Sequence, residues 1–366
     1  RREFPAAVIA VTGCMPQARP EKAKDLDSAD IVIGNALNTE LPSLVEEFIG
    51  KRDRLVAAKP HELHEKISPL SSHSFEGRTR AFVKIEDGCN RFCSYCIIPY
   101  ARGRVRSKSP ERITEELKGL AAAGYKEAVI AGINLSAYGS DIGLLLPDGI
   151  KAADVDGIER LRLGSLEPDQ LDETVLDGLC KIDKLCGQFH LSLQSGSDGV
   201  LSRMNRKYDT SLYREIIKNL RERFENCSIT TDIMTGFPGE TEEEFQETLD
   251  FVKEIGFAKV HIFCYSKREG TPAAKMENQV PEHIKSERSK RLSAAAELAA
   301  ESFFEKQVGR VEKVLLEQKK DGLFEGYTEN YTPVRVKAND RLKGEIVKVK
   351  IISSSKEGCL GELVTK

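Results

Sequence analysis

The sequence has almost no net charge and no long apolar run. Its 55 lysines and arginines nearly balance 58 aspartates and glutamates, which leaves a formal charge of -3. No global field therefore marks a nucleic-acid partner, and any basic surface has to be local. No stretch is long enough to span a membrane, and the apolar run near the N-terminus has no small-residue cleavage site. We expect a cytoplasmic protein without a membrane partner.

A disulfide framework is also missing. Nine cysteines occur without a signal peptide, which argues for reduced thiols. Cys89, Cys93 and Cys96 crowd into one short segment. Such crowding of free thiols predicts a metal site.

From about residue 75 the sequence alternates strand-like and helix-like segments, a pattern typical of parallel strands joined by crossover helices. The helix predicted at 109–124 opens with Ser109 and Pro110 as cap and first-turn residues. A second amphipathic helix is predicted at 240–257. Strands are predicted at 81–88, 127–132, 160–165, 189–194, 228–236 and 258–266.

Six strand–helix units are too few for an eight-fold barrel, so we predict an α/β fold with a partial (β/α)6 barrel. Its site would lie at the C-terminal ends of the strands. The N-terminal segment holds two short strands and one amphipathic helix, too little for an independent α/β domain. Alternation in period two near the C-terminus predicts a small antiparallel β-barrel. The predicted units are an N-terminal remnant (1–60), a linker (61–75), the barrel domain (76–308) and the small β-barrel (309–366).

The cysteine motif reads GCNRFCSYC, with Cys89, Cys93 and Cys96 at a predicted strand end. Three thiolates can ligate three irons of a [4Fe-4S] cluster and leave the fourth open, whereas electron-transfer ferredoxins normally supply four cysteines. S-adenosylmethionine (SAM) could chelate the open iron and be cleaved to a 5′-deoxyadenosyl radical by one electron. Tyr95 could contact its adenine.

The alternative is a structural zinc site or three unrelated buried thiols. Zinc sites usually pair two C-x₂-C units or add two histidines, and neither occurs nearby. His61 and His64 lie three apart, but well upstream in the predicted linker. Cys14, in VTGCMPQ, follows a strand in a loop suited to ligation, although a lone cysteine is more often structural.

Polar and glycine residues follow the later strands, as expected if the strand ends line one ligand pocket. Each residue alone also fits a turn or a helix cap. With Tyr95, the candidate SAM-binding residues are Gly132, Asn134, Ser165, Glu167, Gln194, Asp232, Gly236, Pro238 and Gly239.

A basic run follows the cysteine motif directly. In a neutral protein such a run beside a proposed site favours phosphate recognition, although charge runs usually form a solvated face. The small C-terminal barrel adds two tyrosines of the kind that stack on RNA bases, which are equally compatible with a core position. The candidate RNA-binding residues are Arg102, Arg104, Arg106, Lys108, Tyr327 and Tyr331.

These residues resemble the radical SAM methylthiotransferases and, within them, the subgroup acting on threonylcarbamoyladenosine in tRNA. The similar segments span nearly the whole chain. The cysteine spacing marks the superfamily, whereas IIPYARG and RLGSLEP point to the subgroup. The segments are GCNRFCSYCIIPYARGRVRSK, RLRLGSLEP, LSLQSGSDGVLSRMNR, TDIMTGFPGET and GYTENYTPVRV.

The resemblance implies a radical SAM domain with one [4Fe-4S] cluster, an N-terminal domain whose three cysteines bind a second, and an RNA-binding barrel of the TRAM type. It implies conversion of the C2–H bond of the modified adenosine at position 37 into C2–SCH₃. One SAM would donate the methyl group, another would generate the radical, and the second cluster would carry or position the sulfur. The implied partners are a tRNA anticodon stem-loop and an electron donor such as flavodoxin or ferredoxin, with the chain as a monomer.

One departure concerns the second cluster. Only Cys14 matches a cysteine ligand of the family's N-terminal domain, the third. We expect the chain to begin partway through that domain and not to hold this cluster in its normal form.

Two alternatives stay open. The same chemistry could act on isopentenyladenosine in tRNA or on an aspartate of a ribosomal protein. A non-enzymatic RNA-binding iron-sulfur protein is the rival from another class.

Overall fold

The computed structural model describes residues 3–62, 65–69, 71 and 74–364. Within these residues the chain forms an N-terminal parallel sheet, a central set of parallel strands and helices, and a C-terminal closed barrel. His64 of the predicted linker lies outside them. No helix in the described part combines the length and apolarity needed to cross a bilayer.

The N-terminal part is a three-stranded parallel sheet in the order β1-β2-β3. Only two residues of the apolar run at 6–13 pair as a strand. Ile31 and Ile33 are fully buried and pack with Leu37 and Phe48, so this part has a small core of its own. Its elements are β1 (Ala10–Val11), α1 (Cys14–Ala18), α2 (Pro20–Lys24), β2 (Ile31–Ile33), a 3₁₀ turn (Asn35–Glu40), α3 (Leu41–Lys51) and β3 (Leu55–Ala57).

The central part alternates strands and helices as the sequence pattern predicts. Its elements are β4 (Arg80–Lys84), β5 (Glu86–Asp87), α4 (Ile98–Arg102), β6 (Arg106–Ser107), α5 (Pro110–Ala122), β7 (Glu127–Ala131), α6 (Leu146–Ala152), β8 (Arg160–Leu163), β9 (Ser165–Leu166), α7 (Glu173–Leu179), β10 (Gln188–Leu191), α8 (Asp198–Arg203), α9 (Thr210–Arg223), β11 (Ser228–Thr235), α10 (Glu242–Ile255), β12 (Lys259–Cys264) and α11 (Glu282–Glu305).

The parallel strands form two sheets, β4-β7-β8 and β9-β10-β11-β12, and β5 pairs antiparallel with β6 in a separate two-stranded sheet. Only Gly164 separates β8 from β9, so one chain segment pairs with β7 through its first half and with β10 through its second. A parallel bridge between Leu161 and Leu185 adds a link. Each predicted strand is present, but those predicted at 81–88 and 160–165 are each divided in two, into β4 and β5 and into β8 and β9.

Local sequence explains the crossover helices. Thr241 and Glu244 form a capping box that satisfies free N–H groups at the start of α10, and Gly256 ends the helix in a left-handed conformation. Phe245 and Val252 lie on its inner face, fully buried against the sheet. The strands therefore end at one edge, backed by a continuous apolar core.

The C-terminal part is a closed five-stranded barrel in the order β13-β14-β15-β17-β16. Closure leaves no strand edge unpaired. The prediction of an antiparallel barrel is wrong for one pairing, because β15 and β17 run parallel. Its strands are β13 (Val311–Lys320), β14 (Leu323–Thr328), β15 (Pro333–Val336), β16 (Ile346–Ser355) and β17 (Gly358–Leu363).

Candidate active site

The three cysteines lie on the loop between β5 and α4, at the C-terminal edge of the first sheet. The backbone N–H of Cys89 donates to the carbonyl of Gly103 over 3.0 Å, which ties the start of the loop to the end of α4. Gly88 has a φ of 93°, and a Cβ there would overlap the carbonyl oxygen of Arg104. The loop thus depends on glycine at this position.

None of the three thiols is in a disulfide. Burial raises the pKa of Cys89 to about 12, and the nearby Cys93 and Cys96 add to the rise. Burial likewise raises the pKa of Cys96. Alone, the thiols of Cys89 and Cys96 would stay protonated at neutral pH, whereas a bound iron replaces the proton of a coordinating thiol.

Backbone donors already point at the sulfurs. The N–H of Arg91 lies 3.5 Å from the sulfur of Cys89, and the N–H of Ile98 lies 3.4 Å from that of Cys96. N–H groups directed at thiolates tune iron-sulfur clusters. This donor set fits a [4Fe-4S] cluster with three cysteine ligands.

The zinc alternative requires ligands that converge on one ion at about 2.0–2.3 Å. Among the described residues, no three histidine, cysteine or acidic side chains are arranged to hold a single metal ion. In a cluster each thiolate binds a different iron, so convergence on one point is not needed. His61 instead contacts Glu65 at 2.6 Å and the carbonyl of Ala101 at 3.1 Å.

Arg206 contacts several groups around the cysteine loop. Its Nη1 donates to the sulfur of Cys93 over 3.2 Å and lies 3.5 Å from the hydroxyl of Tyr95. Its Nη2 pairs with the carboxylate of Glu167, and the guanidinium lies 4.9 Å from the ring centre of Tyr208. A buried positive charge therefore stands beside one thiol.

Glu167 joins this network from the second sheet. Burial raises the pKa of Glu167, and Arg206 and Arg91 oppose that rise. Arg91 lies 4.0 Å from this carboxylate and also pairs with Asp169. Our sequence reasoning missed Arg206, although the similar segment LSLQSGSDGVLSRMNR ends on it.

Tyr95 lies inside the loop. Its ring packs edge-on against the ring of Phe237, with the two ring centres 6.3 Å apart. The neighbouring Ser94 holds the loop from both sides, because its N–H donates to Met204 and its carbonyl accepts from Ala273. Tyr95 thus borders the thiols and the strand ends together.

Asn134 and Gly132 lie at the end of β7, against Glu86 of β5. The N–H of Asn134 donates to Oε2 of Glu86 over 2.7 Å, and a Cβ at Gly132 would lie 2.7 Å from that same oxygen. Two buried oxygens here have no partner within the described residues, Oδ1 of Asn134 and Oε1 of Glu86. Such atoms normally mark a place for a ligand or water. They are compatible with a bound SAM.

Gln194 and Asp232 lie at neighbouring strand ends of the second sheet. Gln194 has a φ of 69°, and its N–H donates to the carbonyl of Asp232 over 2.8 Å. The carboxylate of Asp232 lies 3.2 Å from Nε2 of His190. Ser165 is exposed at the start of β9 and pairs in register with His190.

The TGFPGE turn is placed differently from the other candidates. Gly236 and Pro238 are buried, and a Cβ at Gly236 would overlap the side chain of Lys285. The N–H of Gly236 donates to Glu240, while Gly239 faces Arg203. This turn packs against α11, and its contacts in the structure are packing contacts within the protein.

The basic run is mostly turned inward. Lys108 is buried and pairs with Glu116. Arg106 is buried and lies 3.2 Å from Glu65, and Arg102 lies 3.7 Å from Asp87. Within the run only Arg104 is exposed.

Tyr327 and Tyr331 lie where the C-terminal barrel meets the first sheet. Their rings stack at 4.4 Å and 14°. Arg80 of β4 lies within 5.3 Å of both ring centres, and Arg162 of β8 lies 4.7 Å from that of Tyr331. The tyrosines therefore join the barrel to the sheet rather than lining a free face.

Cys14 is the first residue of α1. The loop position that the sequence predicted for it is therefore wrong. Nδ2 of Asn35 donates to its sulfur over 3.5 Å and to the carbonyl of Ala101 over 2.7 Å. Cys14 thus lies beside α4, the helix that follows the cysteine loop. On the other side of the N-terminal part, Lys22 pairs with Glu269 beyond β12.

Comparison with known proteins agrees with this geometry. Residues 83–252 match the model of the Radical SAM superfamily. Among solved structures, the radical SAM methyltransferase TsrM from Kitasatospora setae superimposes with a TM-score of 0.58 at 18% identity. The match covers 75% of this chain and 60% of that one, and it supports the fold alone. The chain is a radical SAM enzyme, a class that uses a [4Fe-4S] cluster and SAM.

Curated relatives narrow the class. The chain is 38% identical to threonylcarbamoyladenosine tRNA methylthiotransferase MtaB from Bacillus subtilis, over 96% of this chain and 80% of the relative. It is also 38% identical to the tRNA-2-methylthio-N(6)-dimethylallyladenosine synthase from Caldicellulosiruptor saccharolyticus, over 98% and 78%. The chain therefore belongs to the radical SAM methylthiotransferase family, whose members transfer a sulfur-containing group.

Proposed function

We propose that the chain converts N6-threonylcarbamoyladenosine at position 37 of tRNA to its 2-methylthio derivative. The observation that carries the proposal is the loop of three uncrosslinked thiols at the strand ends, with N–H donors directed at two sulfurs and Arg206 at the third. A [4Fe-4S] cluster on these thiols would supply the electron that cleaves SAM to a 5′-deoxyadenosyl radical. The radical would take the C2 hydrogen and leave as 5′-deoxyadenosine, so that C2–H would be replaced by C2–SCH₃. A second SAM would supply the methyl group, the second cluster would supply the sulfur, and the electron released when the C–S bond forms would return to that cluster.

The residues around the thiols would hold SAM and the adenosine. Asn134 and Glu86 would satisfy their unpartnered oxygens on polar groups of SAM. Tyr95 would flank the adenine, and Glu167 would keep Arg206 in place beside Cys93. The remaining candidate residues, Ser165, Gln194 and Asp232, would line the same strand edge.

We propose the predicted division of the chain as its domain organisation, with the two central sheets as one partial (β/α)6 barrel joined through Gly164. Cys14 would be one ligand of a second cluster, which this chain would not hold in its normal form because only Cys14 matches a ligand of that cluster. A tRNA anticodon stem-loop and a reductant such as flavodoxin or ferredoxin would be the partners of a cytoplasmic monomer.

Relatives named for threonylcarbamoyladenosine and for dimethylallyladenosine are equally similar to this chain, at 38% identity each. The choice of threonylcarbamoyladenosine therefore rests on the segments IIPYARG and RLGSLEP. Isopentenyladenosine is the second candidate substrate. Mass spectrometry of tRNA nucleosides from cells with and without the gene tests the choice. We expect the 2-methylthio form of threonylcarbamoyladenosine to vanish and its precursor to accumulate. Loss of the methylthio isopentenyl form instead would contradict the substrate and leave the reaction class standing.

A further inference from the structure

A half-buried ring on the cysteine loop, that of Phe92, packs against the exposed ring of Tyr100 in α4. Phe92 lies between Cys89 and Cys93, and Tyr100 follows Cys96 in α4. Their ring centres are 5.8 Å apart at 80°, an edge-to-face contact. The side chain of Tyr100 is 52% exposed. A single exposed ring needs no explanation, but this pair is held beside the reacting centre.

Phe92 is held in an unfavourable conformation. Its φ is 52°, in the left-handed region that bulky residues avoid. Asn205 fixes it there by donating to the carbonyl of Phe92 over 2.9 Å. Strain of this kind persists where the surrounding structure requires the resulting geometry, often at ligand sites.

Arg104 adds a free positive charge to the pair. Its guanidinium lies 5.1 Å from the ring centre of Phe92, a cation–π contact. Arg102, Arg106 and Lys108 all face carboxylates, whereas no ion pair is found for Arg104 among the described residues. Its charge is therefore left for an anion from outside the chain.

Tyr100 and Arg104 line a cleft between α4 and the N-terminal part, and Phe92 lies behind them outside its lining. The cleft has a volume of about 390 Å³ and is lined by Tyr100, Arg104, Gln17 and Pro60. This volume lies within the range of about 300–1,000 Å³ typical of small-ligand pockets. An aromatic face, a cation and an open cleft thus occur together.

We propose that Phe92, Tyr100 and Arg104 form a stacking platform for one unpaired base of the RNA substrate, next to the adenosine that reacts. The base stacks on Tyr100 and enters the cleft, while Arg104 contacts its phosphate. A paired base is already stacked in its stem, so the occupant is a loop nucleotide. The proposal rests on the proposed function, because it needs an RNA substrate.

The test measures binding of a synthetic anticodon stem-loop to the reconstituted protein by fluorescence anisotropy. Tyr100→Ala should raise the Kd roughly tenfold, since stacking contributes about 1–3 kcal/mol per base. Tyr100→Phe keeps the ring and should stay near the parent. Phe4→Ala removes an exposed ring elsewhere and is the matched control. Arg104→Gln should lower the slope of log Kd against log salt by about 0.7.

Two further readouts separate the possible failures. Iron content of Tyr100→Ala must match the parent, which excludes loss of the cluster as the cause. A 2-aminopurine at the neighbouring loop position should be quenched on binding to the parent and less so with Tyr100→Ala. Unchanged Kd and quenching, in a parent that binds the RNA, would overturn the platform alone. A parent that neither binds nor modifies RNA would overturn the proposed function and the platform with it.

Discussion

Arg206 donates from Nη1 to the sulfur of Cys93 over 3.2 Å, across 113 positions of sequence. The same guanidinium pairs with Glu167 at the end of the second sheet. The contact places a fixed positive charge at one thiol. Such a charge favours the more negative, reduced state of an iron-sulfur centre and raises its reduction potential.

Replacement of Arg206 by Gln should therefore shift the reduction potential to a more negative value. It should also cost about 3–5 kcal/mol of stability, because Glu167 loses a buried partner. Redox titration followed by electron paramagnetic resonance measures the first effect, and urea unfolding the second. Arg203→Gln, which breaks a pair with Glu244 away from the thiols, is the control. An unchanged potential would mean that the contact does not tune the cluster.

A second buried network joins the C-terminal barrel to the sheets. Glu127 pairs with Arg162 at 2.9 Å and Arg160 at 3.4 Å, all three nearly inaccessible to water. Glu127→Gln leaves Arg162 without its carboxylate partner and Arg160 with only the more distant Glu329 at 3.8 Å, and it should destabilise the protein by about 3–5 kcal/mol at pH 7. Urea unfolding measures this against Glu222→Gln on the surface of α9. Equal losses for both variants would contradict the prediction.

The carboxylate of Glu127 should also make the stability of the protein depend on pH in the acid range. Burial alone would raise the pKa of Glu127, but Arg162 and Arg160 outweigh it, and the pKa lies below its ordinary value. Its contribution to stability is therefore present above pH 4.5 and lost as pH falls through the lowered folded-state pKa. The acid loss of stability should be shallower in Glu127→Gln than in the parent, as followed by Tm below pH 5. Parallel curves of Tm against pH for the parent and Glu127→Gln would show that Glu127 does not cause the acid loss of stability.

Tyr331 tests the docking of the barrel directly. Its hydroxyl accepts from Arg80 over 2.9 Å, and its ring stacks on Tyr327. Tyr331→Phe should cost about 0.5–1.5 kcal/mol, the usual net value of one hydrogen bond. Tyr331→Ala should cost about 2–4 kcal/mol, because the stacked ring is lost as well. Faster hydrogen exchange of β14 and β15 in the Ala variant would locate the loss, and unchanged exchange there would contradict docking through this residue.

Glu86 should give the opposite pH dependence to Glu127. Burial raises its pKa to about 8, and Asp87 adds to the rise. Its stabilising contribution is complete below the unfolded value of about 4.5 and is lost as pH rises to about 8. Glu86→Gln keeps an acceptor for Asn134 and should flatten the fall of Tm between pH 5 and 8. The exposed Glu115→Gln should keep the slope of the parent, and an equal slope in both variants would refute the assignment.

The sequence predicted the elements better than their contacts. Buried apolar runs, amphipathic periodicity and the cap position at Ser109 are local signals, so the strands and crossover helices of the central part were confirmed. The split at Gly164 and the parallel pairing of β15 with β17 depend on partners far along the chain and leave no periodic trace.

The site shows the same limit. The spacing of Cys89, Cys93 and Cys96 is local and was readable, whereas Arg206 reaches Cys93 only through the fold. Lys108 belongs to a basic run of a kind that is usually exposed to solvent. Its ammonium group is nevertheless buried and pairs with Glu116. The residue types pointed to the chemistry, and only tertiary contacts separated the structural residues from those open to a ligand.

Anaerobic reduction of the reconstituted protein with SAM tests the central claim most directly. The parent should form 5′-deoxyadenosine, and Cys93→Ala should form none, because the cluster loses a ligand. Cys180→Ala, an exposed cysteine away from the loop, should match the parent. No 5′-deoxyadenosine from a fully reconstituted parent, or equal amounts from Cys93→Ala, would contradict a radical site on these thiols.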